Sequence, residues 1–189
     1  MTGQPSAPPP APTLDPAAFV ATAAPGRECG TCTLCCKVYD VPAVPKPMSR
    51  WCPHCRPGRG CGIWETRPQA CRSFFCLWMT EGWLGPEWKP ERSKIVLSVD
   101  PVNRFLLAQV DPGAPGAWKK EPFHGQLRAW ARASLGLQRL VIVFVDKVGT
   151  VILPDRDVPV GVIAPNERLV LREKLGPRGP YPDVEKIAA

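Results

Sequence analysis

Apolar and polar positions alternate in short runs through the second half of the chain, and these runs predict two β-hairpins. The runs KIVLSV at 94–99 and FLLAQV at 105–110 flank a turn-rich link at 100–104. The runs LVIVFV at 140–145 and TVIL at 150–153 flank a second turn at 146–149. The residues from 176 onward, which begin GPRGPYPDV, show no such pattern and predict an irregular tail at 176–189.

Between the two predicted hairpins the apolar spacing changes to that of an α-helix. The apolar positions with this spacing are Phe123, Leu127, Trp130, Ala131 and Leu135. Pro122 suits the beginning of a helix, and Gly136 suits its end. The predicted order is therefore strand, strand, helix, strand, strand. This order indicates an α+β fold in which one helix packs on an antiparallel sheet.

The composition of the chain divides it into further parts. Residues 1–26 contain seven of the 25 prolines, together with many alanines, and predict a disordered, partly polyproline arm. All nine cysteines lie between Cys29 and Cys76. We therefore predict an arm at 1–26, an irregular cysteine-cluster module at 27–92, an α+β segment packed on it at 93–175, and the tail at 176–189.

The cysteines are spaced as metal ligands are. They occur as Cys-x2-Cys-x2-Cys-Cys from Cys29, as Cys-x2-Cys-x5-Cys from Cys52, and as Cys-x4-Cys from Cys71. Two intervening residues allow two sulfurs to reach one ion, at about 2.3 Å for zinc. If Cys35 and Cys36 are helical, their sulfurs share one arc with the preceding cysteines; if they are extended, the two side chains point opposite ways and can serve two different sites. Either geometry allows this stretch to contribute to one metal cluster or to a pair of sites.

Three alternative roles for the cysteines stay open but are less favoured. A disulfide scaffold requires an oxidising compartment and leaves one of nine cysteines unpaired. Buried free cysteines are common, but not at this density. A catalytic thiol with His54 or His124 as its base would require one cysteine to stand out from the rest. We expect His54 to be a loop residue, with metal ligation as a second possibility, and His124 to cap the helix or lie on the surface.

Charge and hydropathy limit the partners of the protein. The net charge of +7 and the pI near 9.1 would suit nucleic acid, but the basic residues are spread rather than clustered. A Zn(Cys)₄ unit carries a charge of about −2, which would offset part of this excess. The first residues lack a secretory pattern, and no apolar run approaches the ~20 residues of a membrane span. We therefore expect a cytoplasmic protein that binds a metal ion and has no membrane partner. An unidentified protein partner is possible, and a nucleic-acid partner is not favoured.

Four sequence motifs resemble those of a known family. They are CGTCTLCC at 29–36, GCGIWETRPQACRSFFC at 60–76, VDPGAPGAWKKEPFHGQLRAWA at 110–131 and ILPDRDVPVG at 152–161. They are similar to motifs of the bacterial cysteine-cluster proteins described as a zinc- or iron-chelating domain, the YkgJ-type family. The defining motif covers about 29–78, with Trp64 where tyrosine is usual, and the C-terminal motifs resemble a subset of members.

The resemblance implies a set of metal ligands. The eight cysteines that match the family pattern are Cys29, Cys32, Cys35, Cys36, Cys52, Cys61, Cys71 and Cys76. Cys55 falls outside this pattern and is the predicted spare. Eight thiolates would serve two four-thiolate sites, or one iron–sulfur cluster, such as [4Fe-4S], and a separate zinc.

Several residues near the cysteines are candidates for supporting roles. Arg67 and Arg72 flank Cys71 and could lower thiolate pKa values; alternatively, Arg67 pairs with Glu65 on the surface. We expect an aromatic shell that excludes water, formed by Phe74, Phe75, Trp78 and Trp83. The polar motif Asp155-Arg156-Asp157 could be a site or simply a turn between two strands.

Three functions follow from this sequence. The favoured one is a metal-binding protein that uses zinc or iron in a structural, metal-handling or redox role, because no catalytic triad, phosphate loop or dinucleotide motif is evident. The second is an iron–sulfur enzyme, since the cluster resembles that of flagellin lysine methylases. The third is a zinc-dependent module for nucleic-acid or protein interaction, which lacks the expected basic recognition helix.

Overall fold

The computed structural model describes residues 22–177 and 179–189. Most of the predicted arm at 1–26 therefore lies outside the described residues. The cysteine-bearing part consists of short elements joined by loops. They are α1 (Cys35–Val38), β1 (Cys55–Arg56), β2 (Gly60–Cys61), α2 (Gln69–Ser73), α3 (Leu77–Thr80) and α4 (Pro90–Ser93). None of the helices of the described residues is long and apolar enough to cross a membrane.

A five-stranded sheet and one long helix follow. The elements are β3 (Ile95–Val99), β4 (Leu106–Val110), α5 (Phe123–Ser134), β5 (Val141–Val145), β6 (Val148–Ile152) and β7 (Asp157–Val162). The strands lie side by side in the order in which they occur along the chain. The protein thus combines helices with sheet, as the sequence predicts.

The sheet is mixed, so the prediction of a wholly antiparallel sheet is wrong. The pairs β3–β4, β5–β6 and β6–β7 are antiparallel, whereas β4 and β5 run in parallel, with Leu106 opposite Val141. Parallel neighbours need a crossover connection long enough to return the chain to the same end of the sheet, and a helix commonly provides it. Here α5 lies in the connection between β4 and β5.

The prediction of an irregular tail is also wrong. Strands β8 (Glu167–Gly176) and β9 (Gly179–Ala188) form a separate two-stranded antiparallel sheet. The sequence did not predict β9 because this strand contains Pro180 and Pro182, and proline cannot donate a hydrogen bond to a neighbouring strand. A two-stranded ribbon tolerates both prolines, since each strand needs a partner on one side only. Strand β7, which contains Pro159, was missed for the same reason and lies at the edge of its sheet.

Both faces of the five-stranded sheet are covered by apolar side chains. One face packs against α5 through Leu127, Trp130 and Ala131, which are at most 2% exposed. The other face packs against the β8–β9 ribbon through Leu169 and Val184. The burial of both faces makes the sheet the rigid platform on which the cysteine-bearing part lies.

Ion pairs fasten the ribbon to the turn that precedes β7. Arg156 donates to the carboxylate of Asp183 at 3.0 Å and to the carbonyl of Pro182 at 2.6 Å. Lys174 lies 2.8 Å from the same carboxylate. The hydrogen bond from Lys174, followed by that from Arg156, lowers the pKa of Asp183 below its usual value, although partial burial opposes them.

The substitution Asp183→Asn should therefore make stability depend less on pH. The folded-state pKa of Asp183 lies below its unfolded value of about 3.9, so its stabilising effect is present above that pH and is lost as the pH falls through the folded-state pKa. At neutral pH we expect the variant to be less stable by about 1 kcal/mol or less, as for other exposed ion pairs. This difference should shrink below about pH 4 in urea unfolding measured at several pH values.

Glu173→Gln is a suitable control, because Glu173 is exposed on the neighbouring part of β8 and forms no ion pair with the described residues. A difference between wild type and Asp183→Asn that grows on acidification would contradict the assigned sign.

Candidate metal centre

The first four cysteines lie on one compact turn of the chain. The amide of Cys32 donates to the carbonyl of Cys29 at 2.8 Å, and the amide of Cys36 donates to that of Thr33 at 3.0 Å. Gly30 has a positive φ of 54°, which a residue without a Cβ adopts without strain. Helix α1 then begins at Cys35, so the adjacent cysteines are helical rather than extended.

The middle cysteines lie on a small hairpin that is tied to this turn. The amide of Cys52 donates to the carbonyl of Cys36 at 3.0 Å, which brings the hairpin against α1. Strands β1 and β2 pair Cys55 with Cys61. A further bond from the amide of Gly58 to the hydroxyl of Thr33, at 3.2 Å, holds the tip of the hairpin in place.

The last two cysteines are held by two consecutive short helices. Cys71 lies within α2, which follows Pro68, and Cys76 immediately precedes α3. Cys76 is 9% exposed and is the only buried cysteine of the nine, all of which are free thiols. It packs in an apolar cluster with Leu34, Val38, Met79 and Val96.

Eight of the nine cysteines line two cavities. The smaller cavity, of about 30 Å³, is lined by Cys29, Cys32, Cys35 and Cys76. The larger cavity, of about 340 Å³, is lined by the first three of these and by Cys36, Cys52, Cys61 and Cys71. Cys29, Cys32 and Cys35 therefore form the wall that the two cavities share.

The effects of the thiols on one another follow this division for Cys76 and Cys71. For Cys29, on the shared wall, burial and then Cys32 raise the pKa, and Cys36 adds to this rise. Burial raises the pKa of Cys76 to about 11, and the proximity of Cys32 and Cys29 adds to this effect. Burial also raises the pKa of Cys71, and the proximity of Cys36, Cys52 and Cys61 adds to this rise. We name the two groups accordingly. The inner set is Cys29, Cys32, Cys35 and Cys76, and the outer set is Cys36, Cys52, Cys61 and Cys71.

Cys35 and Cys36 join the two sets. Their mutual hydrogen bond lowers the pKa of Cys36 to about 6 and raises that of Cys35 well above its usual value. Cys55 also forms a hydrogen bond with Cys36, and burial, followed by the charge of Cys36, raises the pKa of Cys55. Cys55 lines neither of the two cavities, yet its sulfur lies beside the outer set.

As they stand, the side chains of the described residues do not form a metal site. No group of three or more His, Cys, Asp or Glu side chains in this part of the chain is arranged so that it could hold a metal ion. The thiols of each set share a cavity but have not closed around a common centre. Binding a metal would therefore require the sulfurs to lose their protons and to draw together.

The two arginines beside Cys71 have different surroundings. The guanidinium of Arg67 lies 3.4 Å from the ring centroid of Trp64, and its charge opposes the burial that raises the pKa of both Cys29 and Cys71. Arg72 donates instead to the carbonyls of Arg67 and Glu65, at 2.9 and 2.8 Å. No ion pair joins Arg67 to Glu65 in the described part of the chain. The location of Arg67 favours an electrostatic effect on the thiols.

Three of the four aromatic residues expected around the site are next to it. Phe74 lines both cavities, Phe75 lines the larger one, and Trp78 lines the smaller one. Trp83 instead packs edge-on against Trp130 of α5, with 5.9 Å between the ring centroids. Trp83 therefore belongs to the core beneath the sheet and not to the surroundings of the cysteines.

The two histidines are in different parts of the molecule. His54 is exposed and lines the larger cavity. The Nε2 atom of His124 lies 3.0 Å from the carboxylate of Asp157, which also receives a hydrogen bond from Arg128 at 3.3 Å. His124 thus joins the first turn of α5 to β7 rather than capping the helix. Two residues of the polar motif, Arg156 and Asp157, make contacts that hold the fold together.

Sequence reasoning missed Lys46, Arg27 and Lys89, three cations near the cysteines. Lys46 lines the larger cavity, and its ammonium donates to the carbonyls of Tyr39 and Lys37. Arg27 stacks over Trp78 at 4.4 Å from the ring centroid and donates to the carbonyl of Trp78 at 2.7 Å. All three lie in stretches without a motif, so nothing in their sequence context distinguished them from surface cations.

Comparisons of this chain with family models, with curated proteins and with solved structures gave no match. The resemblance to the YkgJ-type family therefore stays a prediction that rests on the four sequence motifs.

Tyr39 connects the cysteine-bearing part to the sheet. Its hydroxyl and that of Ser98 in β3 are 3.0 Å apart, and its ring meets that of Phe74 edge-on at 5.0 Å. Replacing Tyr39 with Phe keeps the ring but leaves the Ser98 hydroxyl without this partner. We expect a loss of about 1 kcal/mol in the free energy of unfolding, measured by urea denaturation.

The chain provides a matched control in its other tyrosine. The hydroxyl of Tyr181 makes no hydrogen bond with the described residues. Tyr181→Phe should leave the free energy of unfolding nearly unchanged, and an equal loss in both variants would contradict the role assigned to Tyr39.

Proposed function

We propose that this protein binds metal through eight thiolates, in two sites of four, and that it belongs with the zinc- or iron-chelating cysteine-cluster proteins it resembles. The observation that carries the proposal is the division of the cysteines between two adjoining cavities. Cys76 lines only the smaller cavity, whereas Cys36, Cys52, Cys61 and Cys71 line only the larger one. We place the protein in the cytoplasm, where thiols stay reduced.

The donor chemistry of each set fits a soft metal. Four thiolates suit either a tetrahedral zinc ion or a [4Fe-4S] cluster. Such a group, when bound, would supply a rigid cross-link or, in the case of iron, an electron carrier. All nine cysteines are free, so each set can provide its four sulfurs.

Cations close to both sets would offset the negative charge of the thiolates. Burial raises the pKa of Cys29, and the charges of Arg67 and Lys89 oppose this rise. The hydrogen bond from Cys35 lowers the pKa of Cys36, and the charge of Lys46 adds to this effect. Each of these cations favours the deprotonated sulfur that binds metal. Arg67 and Lys46 both line the larger cavity, so their charges act on thiolates of that cavity and of the shared wall.

An iron–sulfur enzyme is the second candidate, and the size of the larger cavity favours it. A volume of about 340 Å³ falls in the range of small-molecule sites. The visible spectrum of protein purified without air separates the two candidates. A broad sulfur-to-iron absorption that bleaches on reduction favours the enzyme, and a colourless zinc protein removes redox chemistry.

Metal content tests the proposed function directly. We expect two metal centres per chain, and we expect one centre in each of Cys76→Ser and Cys61→Ser, because each variant removes one ligand from a different set. Combining both substitutions should abolish binding. Combining Cys76→Ser with Cys35→Ser, which removes two ligands from the same set, should still leave one centre. Elemental analysis of each protein, purified without air, measures the amount of metal bound per chain.

Cys55→Ser is the matched control, since Cys55 lies beside the outer set but lines neither cavity, and it should keep both centres. A wild-type protein that is folded and free of metal would overturn the proposal. Equal losses from Cys55→Ser and Cys61→Ser would show that the ligands have been assigned wrongly.

A further inference from the structure

The part of the chain that bears the outer set has no hydrophobic core. We call residues 45–73 the outer segment; it contains three ligands of the outer set, Cys52, Cys61 and Cys71. None of its residues is buried. Its regular structure is limited to β1, β2, a short 3₁₀ turn (Trp64–Thr66) and α2. Segments of fewer than about 40 residues rarely hold a fold without disulfides, metals or a partner.

Few bonds attach the outer segment to the remainder of the molecule. The links at the hairpin are the backbone bond from Cys52 to Cys36, the bond from Gly58 to Thr33, and the hydrogen bonds of Cys55 with Cys36 and Thr33. Lys46 adds contacts to two carbonyls near α1. These links are polar and partly exposed to water, so each contributes only about 1 kcal/mol.

Cys76 gives the inner set different surroundings, although Cys29, Cys32 and Cys35 are half-buried like the outer thiols. Cys76 is buried, and the smaller cavity is closed by apolar side chains that include Met79, Trp78 and Val96. Val96 is fully buried in strand β3 of the five-stranded sheet. Opening the inner set would therefore disturb the apolar cluster and the sheet beneath it.

We propose that the outer set is an exchangeable metal site whose occupancy alone determines whether the outer segment is folded, while the inner set holds its metal permanently. This inference rests on the proposed function and adds a division of labour to it. The outer metal supplies the cross-links that the segment lacks, so metal loss unfolds the segment and leaves the sheet intact. The site thus responds to the concentration of free metal or to a competing chelator.

Loss of the outer metal would also change the surface of the protein. Trp51 and Trp64 belong to the outer segment and are 41% and 52% exposed. Arg67 covers one face of the Trp64 ring, and Lys37 lies 5.4 Å from the centroid of Trp51. Unfolding of the segment would separate these cations from the rings and free both aromatic surfaces.

The first experiment measures metal release from protein whose metal content is already known. A chromophoric chelator in excess should remove one centre quickly and the other at least about tenfold more slowly. Cys61→Ser should lack the fast phase, and Cys76→Ser should lack the slow phase. Cys55→Ser, on the same segment as Cys61, should keep both phases.

The second experiment locates the unfolding. After the fast phase, trypsin should cut within residues 45–73 after Arg50, Arg59 and Arg72, the basic residues of this segment that no proline follows. Amide hydrogens of β3 to β6 should stay protected from exchange at this stage. Mass spectrometry of the peptides reads both outcomes, and neither depends on which metal is bound.

The outcomes distinguish this inference from the proposed function. Wild-type protein that contains no metal overturns both. The inference alone is overturned if both centres leave in a single phase. It is also overturned if the amide hydrogens of the sheet lose their protection from exchange together with those of the outer segment. Fast release without new tryptic cuts at 45–73 also overturns it, because the segment would then fold without its metal.

Discussion

The packing of the first cysteine turn against strand β3 is the contact on which the cysteine-bearing part depends. Leu34 and Val38 lie in one apolar cluster with Met79 and Val96, and Val96 is completely buried. This cluster fixes α1 and α3 relative to the sheet, so that Cys35 and Cys76 face the same small cavity although they are distant in sequence. The ion pair of Lys37 with Asp111, at 2.5 Å, fastens α1 beyond the end of β4. The inner set is therefore positioned by ordinary hydrophobic burial.

The outer set lacks such support, and this contrast has a physical consequence. Cys52, Cys61 and Cys71 approach Cys36 through hairpin bonds and short helices without a buried side chain between them. Bringing these thiols together raises the pKa of Cys71, first by burial and then by the charge of its neighbours. Without metal, neighbouring thiolates repel one another. A bound cation attracts each of them, so metal binding replaces repulsion with attraction.

Sequence patterns predicted what is local and missed what tertiary context decides. The apolar run at 105–110 corresponds to β4, and the helical spacing around Leu127 corresponds to the buried face of α5. The apolar pattern of a strand does not reveal the direction of its neighbour, so the parallel pairing of β4 with β5 was missed.

The cysteines follow the same rule, because their spacing predicts ligands but not which sulfurs share a site. Cys76 is only five residues from Cys71, yet the two line different cavities, since α3 turns Cys76 into the apolar cluster. The sequence indicated Arg67 as a candidate because it lies near Cys71 in the chain. It did not indicate Lys46, since only the fold brings Lys46 to the larger cavity.

The adjacent pair Cys35 and Cys36 lies at the junction of the two sets. The two side chains leave one helical turn roughly 100° apart, so each can join a different set while their sulfurs stay in hydrogen-bonding contact. This bond stabilises the thiolate of Cys36 and the protonated form of Cys35. If the inner set bound metal as proposed, Cys35 would lose its proton, which would remove the donor that stabilises Cys36. The charges of the two sets would then be adjacent, and Lys46 and Arg67 are cations that line the larger cavity beside them.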